Sequence, residues 1–358
     1  MKKLRAGIIG CGGIANAKHL PAMKKSGLYE ITAFCDVILE RAIATREAFG
    51  TEDAKVYEDY RELLLEELDA VYVTTPNRSH AAISIAAMEA GKHVMCEKPM
   101  AKTSAQAEQM LETAKRTQRI LNIAYQNRYR PDAAYLKKLC QNGEFGEIYF
   151  ARAHALRRRA VPTWGVFLNE EEQGGGPLID IGTHALDLTL WMMDDYEPQS
   201  VTGAVFHKLS GQKDQGNAFG DWDTEQFKVE DSAFGFIRMK SGAVIELEAS
   251  WALNTLDVDE AKTTLCGTKA GADMKDGLRI NRIHLNTPVV EKPDLSGGGV
   301  AFFDGNEKSA ADVEQELFYH MVTDGAEQIV KPEQALAVTR ILEAVYRSAQ
   351  TGKTVYFD

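Results

Sequence analysis

No stretch of this 358-residue sequence approaches the ~18 consecutive apolar residues of a membrane span. Nor is there a long basic run: the formal net charge is −11, so neither nucleic acid nor an anionic membrane is an expected partner. Its five cysteines (Cys11, Cys35, Cys96, Cys140 and Cys266) are scattered, with no paired CxxC spacing. That argues against a disulfide framework or a zinc site and fits a reducing cytoplasm. Internal repeats and low-complexity segments are lacking too. Met1 to Arg5 is basic, but the apolar run behind it stops at a glycine turn, too early for a signal peptide. A soluble, cytoplasmic protein is expected. What remains is an apolar fraction of 44% and a charged fraction of 26%, values of an ordinary globular chain. Its length implies two domains.

The stretch that organises the rest is Gly10-Cys11-Gly12-Gly13-Ile14-Ala15, which ends the apolar run Leu4–Ile9. It reads as a buried strand, a tight turn and the start of a helix. Gly10 permits the turn, Gly12 lets the backbone approach a pyrophosphate, and Ala15 lets helix and strand pack closely. The helix start, with Gly13 and Ile14, would then hold phosphates on its N–H groups. A second run, Ile31–Cys35, ends at Asp36, at the ~20-residue spacing where a carboxylate meets a ribose 2′-hydroxyl. Its charge accepts the hydroxyl of NAD and repels the 2′-phosphate of NADP, although Arg41 on the following helix would tolerate a phosphate. The alternative is a strand-end Asp that only caps the next helix. Cys11 reads either as a redox switch or as a small residue that fits the turn.

Up to residue 124 short apolar runs alternate with helical patterns. The runs are Leu4–Ile9, Ile31–Cys35, Ala70–Thr74, His93–Cys96 and Ile120–Ala124; the helices are Ile14–Lys25, Glu40–Phe49, Tyr60–Glu66, His80–Ala90 and Ser104–Thr117. This alternation predicts a doubly wound parallel sheet, with ligands at the carboxyl ends of its strands. Two further turns lie there. Thr75-Pro76-Asn77 leads to His80; Asn77 or Ser79 would cap the helix, and contact with a cofactor is compatible with that. Glu97-Lys98-Pro99 sets a charged pair at the end of a buried strand, which is costly unless satisfied. Lys98 can hydrogen-bond a ribose or substrate hydroxyl, and Pro99, if cis, would turn it into the cleft. A plain strand-end salt bridge is the competing reading.

The boundary falls near Ala124, giving residues 1–124 and 125–358. After Gln126-Asn127-Arg128-Tyr129-Arg130-Pro131 come a helix at Asp132–Gln141 and a strand at Ile148–Leu156, which Arg157-Arg158-Arg159 closes. Val161–Asn169 reads as a loop in which Trp164 is free to wall a pocket. Gly174-Gly175-Gly176-Pro177 then opens a largely buried helix, on which Asp180, His184 and Asp187 fall at i, i+4 and i+7 on one face. A carboxylate beside an imidazole suits a general base; a hydrogen-bonded core histidine beside a capping acid suits the pattern equally. No third ligand stands at metal spacing. The strand patterns Ser200–Phe206, Asp231–Met239, Ala243–Trp251, Thr263–Cys266 and Arg279–His284 predict a broad, mostly antiparallel open sheet. One face would pack on the Asp180 helix and the other on a second subunit. Gly211–Asp223 and Asp294–Gly305 read as loops, and Glu314–Ile329 and Gln334–Thr351 as amphipathic helices.

The glycine turn with Asp36, Thr75-Pro76-Asn77 with His80, Glu97-Lys98-Pro99, and the Gly-rich loop into Asp180-x3-His184-x2-Asp187 stand in one order. Together they resemble the glucose–fructose oxidoreductase/inositol dehydrogenase (Gfo/Idh/MocA) family, over essentially the whole chain. The resemblance implies an N-terminal Rossmann domain and a C-terminal α+β domain whose open sheet builds a homodimer or homotetramer. It also implies NAD(P)-linked oxidation of a sugar or cyclitol hydroxyl. The family's catalytic Lys, Asp and His fall on Lys98, Asp180 and His184. The Glu that binds the nicotinamide ribose falls on Glu97. Less specific positions fall on Asn127 and Arg128, as cofactor and substrate contacts, and on Arg157 in the pocket.

On that basis His184 takes the proton of a secondary hydroxyl, Asp180 orients the imidazole and Lys98 steadies the developing alkoxide. The Arg157 and Trp164 loop is similar to that of members that oxidise glucosides at C3. Competing readings are an NAD-dependent glycoside hydrolase with transient oxidation, a non-enzymatic dinucleotide sensor, and a reductase of another carbonyl or an imine. The Lys98/Asp180/His184 set argues against the sensor.

Overall fold

The computed structural model describes residues 2–295 and 308–357. Two compact units share them: one drawn from Met1–Tyr129 and Lys308–Leu336, the other from Arg130–Glu307 and Ala337–Asp358. The sequence pattern puts one boundary near Ala124 and everything after it in one domain, whereas the second unit starts at Arg130 and the chain crosses between the units more than once. Lys308–Leu336 belongs with the first unit.

The first unit is a six-stranded parallel sheet in the order β3-β2-β1-β4-β5-β6. Its strands are β1 (Leu4–Ile9), β2 (Tyr29–Cys35), β3 (Lys55–Tyr57), β4 (Ala70–Val73), β5 (His93–Cys96) and β6 (Leu121–Ile123). The strand order reverses at β1, which puts the crevice at the carboxyl ends of β1 and β4. The only strand of this sheet that apolar runs did not announce is β3, an edge strand with no buried residue. The helix after the glycine turn starts as a π turn, Ala15–His19, before Leu20–Ser26. Pro21 lies in the second piece, and the wider turn absorbs the amide that proline cannot donate. The helix Ala310–Asp324 opens on a capping box, Ser309 with Asp312, and ends at Gly325, earlier at both ends than Glu314–Ile329.

The second unit holds a nine-stranded mixed sheet, order β14-β13-β12-β11-β7-β10-β9-β8-β15, in which only β7 and β10 run parallel. Its strands are β7 (Ile148–Leu156), β8 (Pro198–Phe206), β9 (Ser232–Met239), β10 (Val244–Ser250), β11 (Asp259–Gly267), β12 (Ala270–Asp273), β13 (Arg279–His284), β14 (Thr287–Glu291) and β15 (Val355–Tyr356). One face carries Ala151, Ala153, Ala155, Ala249 and Leu247, all buried, and takes the helix Thr183–Met193. Small side chains let that helix approach. Gly203 does the same for the C-terminal helix Pro332–Thr351, since a Cβ there would lie 2.7 Å from Val345. Gly211–Asp223 is irregular, as expected. The loop expected over Asp294–Gly305 lies, from residue 296 on, outside the described residues.

Candidate active site

Gly10 takes a left-handed φ of 96°, and a Cβ there would meet the Thr74 carbonyl at 2.7 Å, so only glycine fits. At Gly12 and Gly13 a Cβ would meet no atom of the chain within 4 Å. Among the described residues no neighbour demands glycine there, which fits a backbone left open for a ligand's phosphates. Asp36, buried at the end of β2, accepts from Cys11 N at 2.8 Å through Oδ2 and from Ile38 N at 2.9 Å through Oδ1. It therefore steadies the glycine turn and the start of the next helix, with lone pairs left on both oxygens. Ile14, Val37 and Ile38 are exposed around it, apolar side chains that suit the faces of a base. Arg41 is exposed as well. The Cys11 thiol is buried; burial, then the Asp36 charge, push it up to about 12. It is a protonated donor to Cys35 O, which fits the small-residue reading.

The other turns are tied to this one from below. Thr74 Oγ1 donates to Gly10 O at 2.6 Å, while Thr75 Oγ1 is buried without a partner among the described residues. An orphaned hydroxyl beside the glycine turn is a further mark of a site built for a ligand. His80 is fully buried, its ring nitrogens 2.9 Å from Thr75 O and 2.8 Å from Pro99 O. Burial drives its pKa down against the two carbonyls, which pull it up. This corrects the expectation of a cofactor contact at His80: it links two turns from behind. Ser79 makes no side-chain capping bond; its N–H donates to Pro76 O and the His80 N–H to Asn77 O, and these main-chain bonds start that helix.

Lys98–Pro99 is a cis bond. Glu97, also buried, accepts from Lys18 Nζ at 3.0 Å, His19 Nε2 at 2.8 Å and the Lys98 N–H at 3.1 Å. Lys18 also pairs with the buried Glu314 at 3.0 Å. Burial would raise the Glu97 pKa, but Lys18, the His19 bond and Lys98 together hold it well below the usual range. Gln315 continues the network: its amide lies 3.1 Å from His19 Nδ1, and its carbonyl accepts from the Tyr72 hydroxyl at 2.6 Å. The charged pair at the end of β5 is thus satisfied. Lys98 is half-buried, on the turn that Glu97 anchors.

In the second unit Asp180 lies on a π turn, Leu178–Gly182, that runs into the helix Thr183–Met193 carrying His184. Such turns concentrate at functional positions. Asp180 Oδ2 accepts from Trp251 Nε1 at 3.0 Å. Asp180 and His184 are half-buried, whereas Asp187 is buried. Two residues that sequence reasoning missed fix this turn. Glu230, buried, accepts from Gly176 N at 2.8 Å and Leu178 N at 3.1 Å, and Tyr346 donates to it at 2.8 Å. A Cβ at Gly175 would collide with the Tyr346 hydroxyl, and one at Gly176 with the Glu230 carbonyl. The Gly-Gly pair was the one local trace of these partners.

Arg157 forks onto Glu260 at 2.6 and 2.7 Å and donates to Ala160 O at 3.1 Å. Against the pull of burial, Glu260 and the more distant Asp180 hold its pKa high. Trp164 is exposed on its loop, and Asn127 is half-buried on the turn Gln126–Tyr129. Arg128 is 1% exposed and donates to Ile329 O at 2.9 Å and Gln334 Oε1 at 2.6 Å. The expectation of a substrate contact there gives way to a buried strut for the returning segment. No cluster of three His, Cys, Asp or Glu suited to a metal occurs among the described residues.

The model of an oxidoreductase family with an NAD-binding Rossmann fold matches residues 4–125, and that of the same family's C-terminal domain matches residues 133–273. The chain belongs to the Gfo/Idh/MocA oxidoreductase family. Within that family it is 37% identical over 358 residues to D-glucoside 3-dehydrogenase of Escherichia coli, covering 98% of this chain and 97% of that protein. It is 30% identical over 203 residues to inositol 2-dehydrogenase of Salmonella typhimurium, 55% of this chain and 57% of that one. Levoglucosan dehydrogenase, solved in complex with NADH and levoglucosan, shares the fold at a TM-score of 0.83 and 22% identity, over 99% of both chains. The glycine turn, Asp36 and the orphaned Thr75 hydroxyl fit the nicotinamide dinucleotide that the family's Rossmann domain binds.

Proposed function

We propose that this protein is an NAD-dependent dehydrogenase that oxidises a secondary hydroxyl of a glucoside, sugar or cyclitol to a ketone, with C3 of a glucoside favoured. The observation that carries the reading is the whole-length similarity to D-glucoside 3-dehydrogenase, in a chain that carries Lys98, Asp180 and His184. Gly10, Gly12, Gly13 and Ile14 would receive the dinucleotide, Asp36 its ribose, and Thr75, Pro76, Asn77 and Asn127 its nicotinamide half. When bound, it accepts the hydride. Asp36 selects NAD, because a 2′-phosphate would face its carboxylate.

His184 takes the hydroxyl proton while hydride leaves the same carbon, so the alcohol loses two electrons and two hydrogens and becomes a ketone. Asp180, held by Trp251, favours the imidazolium that forms. The Lys98 ammonium stabilises the developing alkoxide, and Glu97 fixes the turn that carries it. Arg157 and Trp164 border the substrate.

NADH formation is measured against methyl glucosides, free hexoses and inositols, with NADP as control. His184→Ala is expected to lower kcat by roughly 10²–10⁴-fold, the usual worth of a general base, while NAD still binds. Unchanged turnover in that variant refutes the assignment. Release of free sugar with no net NADH would favour the hydrolase reading instead.

A further inference from the structure

The rings packed on Trp251 do not stop at the edge of the core. Trp251 is fully buried, and Phe227 then Trp222 continue from it at centroid distances of 6.3 and 6.0 Å. In the other direction Trp251 meets Phe167 at 6.4 Å, Phe167 meets Trp164 at 5.8 Å, and Trp164 meets Phe219 at 4.8 Å with perpendicular planes. The last two rings are at the surface, 52% and 46% exposed. Single exposed aromatics need no explanation. These are different, because two loops are laced together to hold them. Asn217 exchanges hydrogen bonds with Val161 at 2.8 and 2.9 Å, Thr163 Oγ1 donates to Phe219 O at 2.6 Å, and Ala218 N donates to Arg159 O at 3.1 Å. The row's inner end is the indole N–H on Asp180.

We propose that Trp164 and Phe219 form an aglycone subsite, which stacks a flat six-membered ring carried on the anomeric oxygen of a glucoside. This rests on the glucoside reading above and narrows it to glycosides with a ring aglycone, in preference to free hexoses. Three observations select that occupant. Perpendicular rings make a corner, one wall for the face of a ring and the other for its edge. The lacing pre-organises that corner, so little ordering cost falls on binding. The row of rings ties that corner to the indole that donates to Asp180, the carboxylate assigned above to the reacting centre, so the patch and the proposed site share one support.

The test uses the full-length enzyme with NAD and compares kcat/KM for phenyl glucoside with that for methyl glucoside, each as both anomers. Wild type should favour the phenyl compound by roughly ten-fold, about the worth of one good ring contact. In Trp164→Ala and Phe219→Ala that preference should fall to about two-fold or less, through KM rather than kcat. A wild-type ratio near one, or a preference that survives both substitutions, overturns the subsite and leaves glucoside oxidation standing. Should no glucoside be oxidised, the parent reading fails, and the subsite is judged by saturation-transfer NMR of phenyl glucoside on NADH-loaded enzyme. Ring signals present in wild type and lost in both variants support it; their absence, or their persistence in the variants, overturns it. A lower subunit count for Phe219→Ala in light scattering would assign the patch to contact between copies and overturn it as well.

Discussion

Asp36 shows how one side chain serves the fold and the ligand at once. Its oxygens already hold Cys11 N and Ile38 N, so the capping reading and the ribose reading are not exclusive. Asp36→Asn is expected to lower the preference for NAD over NADP by about ten- to a hundred-fold, the worth of one charge-assisted hydrogen bond of ~1.5–3 kcal/mol. Steady-state kinetics with both dinucleotides check this. Glu97 is the other instructive residue. Its folded pKa is depressed, so its stabilising contribution is present above the unfolded value of about 4.3 and is lost as pH falls through the folded one. Glu97→Gln should cost roughly 3 kcal/mol at neutral pH, near the low end for a broken buried pair because Lys18 keeps Glu314. Denaturation midpoints of the two proteins should begin to converge as pH falls below about 4.3 and should meet only below the folded pKa. The sequence marked Glu97 as a charge in need of a partner. It could not show Lys18, His19 and Gln315, because those partners arrive from a π turn and from a helix near the end of the chain.

Among the elements, the helix that carries Asp180 and His184 was legible in the stripe of polar residues on an apolar run. Its π turn was not, since the same spacing suits an ordinary helix. Glu230 and Tyr346 brace its start, and the glycines before it are shaped by them. Gly175→Ala and Gly176→Ala should each destabilise by about 1–3 kcal/mol, the usual range for overpacking. Tyr346→Phe should relieve part of the first cost, because the obstructing atom is its hydroxyl. It should leave the second untouched, because there the obstacle is main chain. Urea midpoints of the three single and two double variants decide it. Strands written as buried runs, such as Leu4–Ile9 and His93–Cys96, or as a buried alternation, such as Ile148–Leu156, stand where their patterns put them. Edge strands such as β3 and β14, with little or no burial, leave no such pattern to read.

For the molecule as a whole, the second sheet buries one face on helices and leaves Phe150, Phe206, Phe234 and Phe236 on the other, among the pairs Arg152–Glu246 and His154–Glu248. We propose that a second copy of the chain covers it. Light scattering should show a homodimer or homotetramer, and Phe236→Glu should lower the subunit count; a wild-type monomer would refute this. By itself the sequence determined the alternation of strand and helix, the glycine turn with its acid, and the residues on which the chemistry is proposed to rest. Each of those is written in local spacing, where side-chain periodicity and turn chemistry act over a few residues. Only the tertiary structure decided that Lys308–Leu336 returns to the first unit, that His80 and Arg128 are buried braces, and that Glu230 and Tyr346 set the helix start. Those outcomes depend on contacts between residues far apart in the chain, for which no local pattern is required and none was left.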